Sequence, residues 1–222
     1  MEYTVEFPNP ELANEDGLLA VGGDLTPEYL IAAYSNGIFP WFNEEHPILW
    51  WSPDPRLVLF PNEFKLSKSL SKTIKSGTFS YKTDHDFATV IKSCSLQPRK
   101  GQDGTWITNE MTEAYIKLHE IGIAHSFEVY KNNELCGGLY GVSLGKAFFG
   151  ESMFHLVTDA SKVALYNLVQ WCLKNKFQFI DCQQPTEHLK SLGAREIPRS
   201  EFLLLLKQAL KSKTIEGKWT KI

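Results

Sequence analysis

The sequence predicts an α+β fold, with a small N-terminal domain over residues 1–60 and a larger domain over residues 61–222 built on a mostly antiparallel sheet. Three observations predict it. Five prolines (40, 47, 53, 55 and 61) crowd between Phe39 and Pro61, a density that suits a compact irregular segment rather than long strands or helices. Three apolar stretches between Ala124 and Phe154 are separated only by short polar turns, the pattern of an antiparallel meander. A helical pattern, a strand and a final helical pattern then follow as far as Lys211.

Taken in order, Gly17-Leu18-Leu19-Ala20-Val21-Gly22-Gly23-Asp24-Leu25 is a short apolar run closed by a glycine turn. Thr26-Pro27-Glu28 is a helix start: a hydroxyl cap, a proline where its missing N–H does no harm, and an acid in the first turn. Gly37 ends that helix at Asn36. Over residues 65–75, lysines 65, 68, 72 and 75 recur at helical spacing, with Leu66, Leu70 and Ile74 opposite them; the spacing predicts an amphipathic helix with a basic stripe. A helix is predicted over residues 109–121, with Glu110 and Glu113 in its first turn and Gly122 as its stop.

The meander strands are expected over 124–130, 135–144 and 147–154, turning at Lys131-Asn132-Asn133-Glu134 and at Gly145-Lys146. Val163, Ala164, Leu165, Leu168, Val169 and Cys172 mark a helix over 159–174, followed by a strand over 177–182 and a last helix over 200–211. Meander, helix, strand, helix is the order of an acyltransferase core of the GCN5-related type. No internal repeat interrupts it.

Composition narrows the function classes. At 222 residues the chain holds one or two domains, and 43% apolar with 22% charged residues is close to the globular average. The start, Met1-Glu2-Tyr3-Thr4-Val5-Glu6, lacks the basic and apolar regions of a signal peptide, and no apolar run nears the ~20 residues of a membrane helix. A cytoplasmic, membrane-free protein is expected. Cys94, Cys136, Cys172 and Cys182 are scattered, so they read as reduced structural thiols. With a net charge of −3, any RNA contact must come from a local patch.

Several motifs fail their own context. Gly141-Val142-Ser143-Leu144-Gly145 fits a hydrolase nucleophile elbow, yet a strand-like aromatic run follows it where the elbow needs a helix. No HExxH, CxxC, Walker A loop or GxGxxG is present, so neither a metal nor an activating cofactor is expected. That fits a substrate that arrives already activated, such as an aminoacyl ester on tRNA. The lysine stripe reads in two ways, as the solvated face of a surface helix or as a track for phosphates. The aromatic segments Phe39-Pro40-Trp41-Phe42 and Trp50-Trp51 are likewise either core packing or a platform for a base.

Several blocks, in order and over most of the chain, give the sequence a close resemblance to the bacterial leucyl/phenylalanyl-tRNA–protein transferase family. They are residues 17–25, Gly37-Ile38-Phe39-Pro40-Trp41-Phe42, Ile48-Leu49-Trp50-Trp51-Ser52-Pro53-Asp54-Pro55-Arg56, Gly104-Thr105-Trp106-Ile107-Thr108, Ala124-His125-Ser126, Gly150-Glu151-Ser152-Met153-Phe154 and Asp181-Cys182-Gln183. The resemblance implies a GCN5-like larger domain that uses no acetyl-CoA. It also implies transfer of leucine or phenylalanine, less readily methionine, from leucyl-tRNA or phenylalanyl-tRNA to proteins with N-terminal arginine or lysine, which marks them for the N-degron pathway. A monomer is expected. By position, it implies a catalytic pair at Asp181 and Gln183 with Glu151 as a further functional acid, and substrate-lining tryptophans at Trp41 and Trp106. The side-chain pocket falls on Leu139, Phe148, Leu165 and Leu168, and the tRNA-binding cluster on Lys68, Lys72 and Lys75. The chain departs from the family pattern after Gln183, where Gln184-Pro185-Thr186 stands in place of a nearby asparagine.

On this reading Asp181 receives or relays the proton of the attacking amine, while Gln183 donates to the carbonyl oxygen as it gains charge. Residues i and i+2 of a strand share a face, so the two are expected to reach one site. Glu151 either orients them or attracts the acceptor's basic side chain. Two rivals are an acetyl-CoA-dependent acyltransferase and a non-catalytic tRNA-binding module. The first would require a glycine-rich loop near residue 159, where the chain reads Leu156-Val157-Thr158-Asp159-Ala160-Ser161. The second would bind tRNA regardless of the attached amino acid.

Overall fold

The computed structural model describes residues 5–97 and 107–220. The N-terminal part contains β1 (Leu18–Val21), α1 (Pro27–Ser35), β2 (Phe39–Pro40) and β3 (Leu49–Trp51), with the strands in the order β1-β3-β2. The strands run to between two and four residues, with Pro40, Pro47 and Pro53 bounding β2 and β3 and Gly17 and Gly22 bounding β1. Thr26 caps α1 by accepting the Tyr29 N–H, and Gly37 turns the chain out of the helix at φ 74°.

β4 (Arg56–Leu59) falls inside the range assigned to the small domain, yet it is hydrogen-bonded into the large sheet between β9 (Phe179–Gln183) and β10 (Arg195–Ile197). The other strands are β5 (Ser80–Thr83), β6 (Ala124–Lys131), β7 (Glu134–Leu144) and β8 (Ala147–His155). They form a seven-stranded sheet in the order β10-β4-β9-β8-β7-β6-β5, antiparallel everywhere except between β8 and β9. The predicted meander is present as β6–β7–β8, turning at Asn132-Asn133 and at Gly145, all three with positive φ.

The helices of the larger part are α2 (Lys68–Lys75), α3 (Phe87–Ser95), α4 (Asn109–Glu120), α5 (Ala160–Lys174), α6 (Glu187–Ser191) and α7 (Arg199–Ala209). α2 begins later than the lysine spacing predicts, because the Ser67 hydroxyl accepts the Leu70 N–H and fixes the helix start there. Lys65 and Leu66 therefore precede the helix, and Leu66 is exposed. α3 and β5 were not anticipated from the sequence.

Alternation along the strands feeds two apolar clusters. Tyr140, Val142 and Phe149 pack with α3, α4 and α7, whereas Phe127, Leu139 and Phe148 pack with α5. The first cluster also takes in Leu30, Tyr34 and Trp50, so the N-terminal part shares its core with the rest. Near the other end of the described chain, Trp219 lies between the His125 ring (centroids 3.5 Å apart) and the Trp171 ring (3.6 Å), and donates its backbone N–H to Asp84. Among the described residues no helix is long and apolar enough to cross a membrane.

Charge is unevenly distributed. No lysine or arginine precedes Arg56, while ten acids do; the remainder of the chain carries 23 basic residues against 16 acidic ones.

Candidate active site

β8 and β9 pair only through Ala147, Phe148 and Phe149 against Phe179, Ile180 and Asp181, although both strands continue. A cavity of about 500 Å³ is lined beyond that point by residues of both strands together with the β2 segment, β7, α5 and α6. Leu139, Met153, Leu165, Leu168 and Ile180 supply apolar wall, and Phe39, Pro40 and Trp41 lie along it. Trp41 is held edge-on to Trp51, whose indole N–H donates to the Trp41 carbonyl at 2.7 Å. Trp50 is buried and donates to the Gly22 carbonyl, so it anchors β3 in the core while Trp51 supports Trp41.

Two β-bulges set the polar part of the site. Opposite β7, Tyr140 pairs with Ser152 and Gly141 with Gly150, which leaves Glu151 as the extra residue. Gly150, Glu151, Ser152 and Met153 therefore all line the cavity, where strict alternation would have sent two of them away. Opposite β4, Val58 pairs with Asp181 and Leu57 with Gln183, which leaves Cys182 as the extra residue; Gln183 itself adopts φ 61°.

This second bulge corrects the i, i+2 expectation. Ile180, Cys182 and Gln183 face the cavity, whereas Asp181 is fully buried and is not part of its lining. The Asp181 carboxylate accepts two hydrogen bonds from Arg56, at 2.9 and 2.7 Å, and one from the Gln183 backbone N–H at 2.9 Å. The Arg56 guanidinium lies over the rings of Phe39 and Phe202, 4.8 and 4.5 Å from their centroids. This buried pair thus ties β4 to β9 and holds the backbone of Gln183.

Gln183 donates through Nε2 to Glu151 Oε1 at 2.8 Å, and the hydroxyls of Tyr34 and Tyr115 donate to Oε1 and Oε2 at 2.7 and 2.9 Å. The two hydroxyls also touch each other. Burial pushes the Glu151 carboxyl up to about 7, against the pull of those three donors toward the ionised form. Burial, and then the Glu151 charge, raises both tyrosines well above their ordinary value, so they stay protonated as donors. Cys182 is likewise raised by burial and by Asp181, so it is a thiol rather than a nucleophilic thiolate.

Of the residues expected at the site, Trp41, Leu139, Glu151, Leu165, Leu168 and Gln183 meet in this one cavity. Phe148 does not line it; it lies on the same side of the sheet as Leu139, Leu165 and Leu168 but where β8 and β9 are still paired, and packs in the core against Phe127 and Trp219. Trp106 lies outside the described residues. Lys68, Lys72 and Lys75 are exposed on α2 and, with Ser71 and Ser76, line a separate shallow concavity. The nucleophile-elbow pattern falls on the end of β7 and its turn into β8, with Ser143 buried in the strand and Gly145 in the turn. Sequence reading missed Tyr34, Tyr115 and Arg56. For Arg56 a signal existed, as the first cation after a long acidic segment; the tyrosines are marked by nothing but helical spacing.

The fold and this cavity, with a donor-rich carboxyl beside an apolar wall, suit a group-transfer enzyme. The family of leucyl/phenylalanyl-tRNA protein transferases matches residues 58–207, and the N-terminal domain of the same family matches residues 23–54. A leucyl/phenylalanyl-tRNA–protein transferase of Thermodesulfovibrio yellowstonii is 57% identical over 213 residues, covering 96% of this chain and 87% of that protein. One of Legionella pneumophila is 55% identical over 214 residues, covering 96% of each. Among solved structures, L-PGS from Bacillus licheniformis aligns with a TM-score of 0.41 at 10% identity, over 75% of this chain and 55% of that one. A GCN5-related N-acetyltransferase-like protein from Streptococcus suis aligns with 0.37 at 12% identity, over 78% and 65%. The chain belongs to the leucyl/phenylalanyl-tRNA protein transferase family, and is thereby an aminoacyl-tRNA-dependent transferase that acts on proteins.

Proposed function

We propose that the chain moves leucine or phenylalanine, and methionine less readily, from tRNA to the α-amine of proteins that begin with arginine or lysine. It does so as a cytoplasmic monomer, and the product enters the N-degron pathway. The observation that carries this reading is the cavity itself, in which Leu139, Leu165 and Leu168 offer an apolar seat for a side chain and Glu151 and Gln183 offer polar groups for an ester. Such a seat separates similar side chains by only about 1–3 kcal/mol per methylene, so its shape must reject branching at Cβ. Trp41 supports the terminal adenosine, Trp106 joins it as a substrate-lining ring, and Phe148 backs the pocket from the core.

Attack joins the acceptor nitrogen to the ester carbon and releases the ribose oxygen. The free amine has a pKa of about 7.7–8.0, so a weak base suffices. Glu151 takes the proton that the nitrogen loses and returns it to the departing ribose oxygen, while Gln183 donates to the carbonyl oxygen. Asp181 acts as a positioning residue, through Arg56 and the Gln183 backbone. Holding amine and ester together supplies much of the acceleration, because an activated ester needs orientation more than a covalent intermediate.

Lys68, Lys72 and Lys75 contact tRNA phosphates. The small domain, residues 1–60, gives its last strand, β4, to the large sheet. Against acetyl-CoA stands the entry to α5, where Asp159 and no glycine occupies the cap. The decisive experiment mixes the protein with labelled phenylalanyl-tRNA and an arginine-initiated peptide, without ATP or CoA. Label is expected on the peptide α-amine, and its absence overturns the reading.

A further inference from the structure

Beyond Met153 the cavity wall leads to three groups that nothing above uses. Glu151 and Met153 line the cavity, and β8 ends two residues further on at His155, which is exposed. Four residues of strand set it roughly 13 Å from Glu151 along the chain. On α5, Leu165 and Leu168 line the wall, and Lys162 stands one turn earlier on the same face, toward the start of the helix. His188 of α6 lines the cavity directly. Partial burial of its ring, then the positive fields of Lys162 and His155, hold the His188 imidazole below its ordinary value.

Lys162 is fixed in place. Its ammonium bonds Asp159 Oδ1 at 2.8 Å, and the other Asp159 oxygen accepts from Thr73 of α2 at 3.5 Å. Thr73 follows Lys72 directly, so this chain of contacts joins the cavity mouth to the α2 lysines. Of the neighbouring charges, Lys190 is engaged with Glu196.

We propose that Lys162, His155 and His188 form a phosphate-binding rim that takes the last backbone phosphodiesters of the acceptor strand, immediately upstream of the aminoacyl ester, and makes one continuous track with Lys68, Lys72 and Lys75. The proposal rests on the aminoacyl-tRNA reading of the cavity. It supplies what a stripe on α2 alone lacks, a path for the single-stranded end from the helix surface into the cavity.

The test compares two small donors, an aminoacyl-adenosine without phosphate and the same aminoacyl group on a trinucleotide with two phosphodiesters, each with an arginine-initiated peptide. For the wild type, kcat/KM is higher with the trinucleotide. That gain falls with salt by a log–log slope of roughly 0.7 per phosphate neutralised. In Lys162→Ala the gain shrinks and its salt slope flattens, in the double variant His155→Gln/His188→Gln the gain shrinks through lost hydrogen bonds, and Lys162→Arg keeps both. The double variant leaves the Lys162–Asp159 pair intact, so a folding defect in Lys162→Ala does not blunt the test. If the wild type uses aminoacyl-adenosine but gains nothing from the phosphates, or if the variants keep the full gain and slope, the rim is overturned while the function stands. If it transfers from phenylalanyl-tRNA but from neither small donor, the rim is overturned while the function stands; if it transfers from none of the three, the function falls and the rim with it.

Discussion

Glu151 is charged only against the resistance of its surroundings. Its carboxyl is pushed up to about 7 by burial, from an ordinary value near 4.5. The folded state therefore favours its protonated form, and the stability this provides is complete at low pH and lost as pH rises from about 4.5 through 7. Above pH 7 the ionised group works against the fold by about 3 kcal/mol. Glu151→Gln is accordingly expected to be more stable than the wild type at pH 8, with the difference gone by pH 4, as read from urea melts across pH. The same variant is expected to lose the limb of the pH–rate profile near pH 7 along with most transfer activity. An unchanged limb would assign that titration to the amine instead. Arg56 presents the opposite case. Its pair with Asp181 is fully buried on both sides. Arg56→Ala leaves a buried carboxylate without its counter-charge and is expected to destabilise the protein by about 3–5 kcal/mol in equilibrium denaturation. Asp181→Asn, which keeps an oxygen for the Gln183 N–H, is expected to retain more stability but to lower kcat more than it raises KM.

At the scale of elements, what was legible depended on whether a segment obeyed its own period. The meander announced itself because its strands alternate and its turns carry Asn132-Asn133 and Gly145. α1 was legible from Thr26-Pro27 and α4 from Gly122. α3 was not, because its apolar face of Phe87, Val90, Ile91 and Cys94 is short and its cap, Asp86, follows a polar stretch without a break. The site was half legible. Its apolar wall lies on a regular helix and strand, but Glu151 and Gln183 are aimed by bulges, and a bulge is a mismatch between two strands that neither strand encodes alone. That is why alternation put Asp181 beside Gln183 and why Asp181 is instead behind it. The bulge in β8 rests on Gly141, where a Cβ would stand 2.1 Å from the Phe149 carbonyl and 2.6 Å from the Phe148 ring. Gly141→Ala is expected to destabilise the fold by about 1–3 kcal/mol. It is also expected to reduce transfer well beyond that loss, measured at a temperature where the variant remains folded. Full activity in a destabilised variant would mean that Glu151 does not need the bulge.

Over the whole molecule, the N-terminal part and the large sheet share one apolar cluster, and Arg56 and Phe202 bridge them beside the site. The cavity has walls from both, so its shape follows their common packing. The uneven charge described above has a further consequence. Because the first 55 residues hold only acids among their Asp, Glu, Lys and Arg, the total of −3 conceals a net basic remainder. On the proposed tRNA reading, a polyanion is drawn by the basic remainder of the chain, on which Lys68, Lys72 and Lys75 are exposed. The bimolecular association rate with tRNA is expected to fall steeply with ionic strength, as it would for a protein of positive net charge, and stopped-flow measurement over a salt series would read that slope directly.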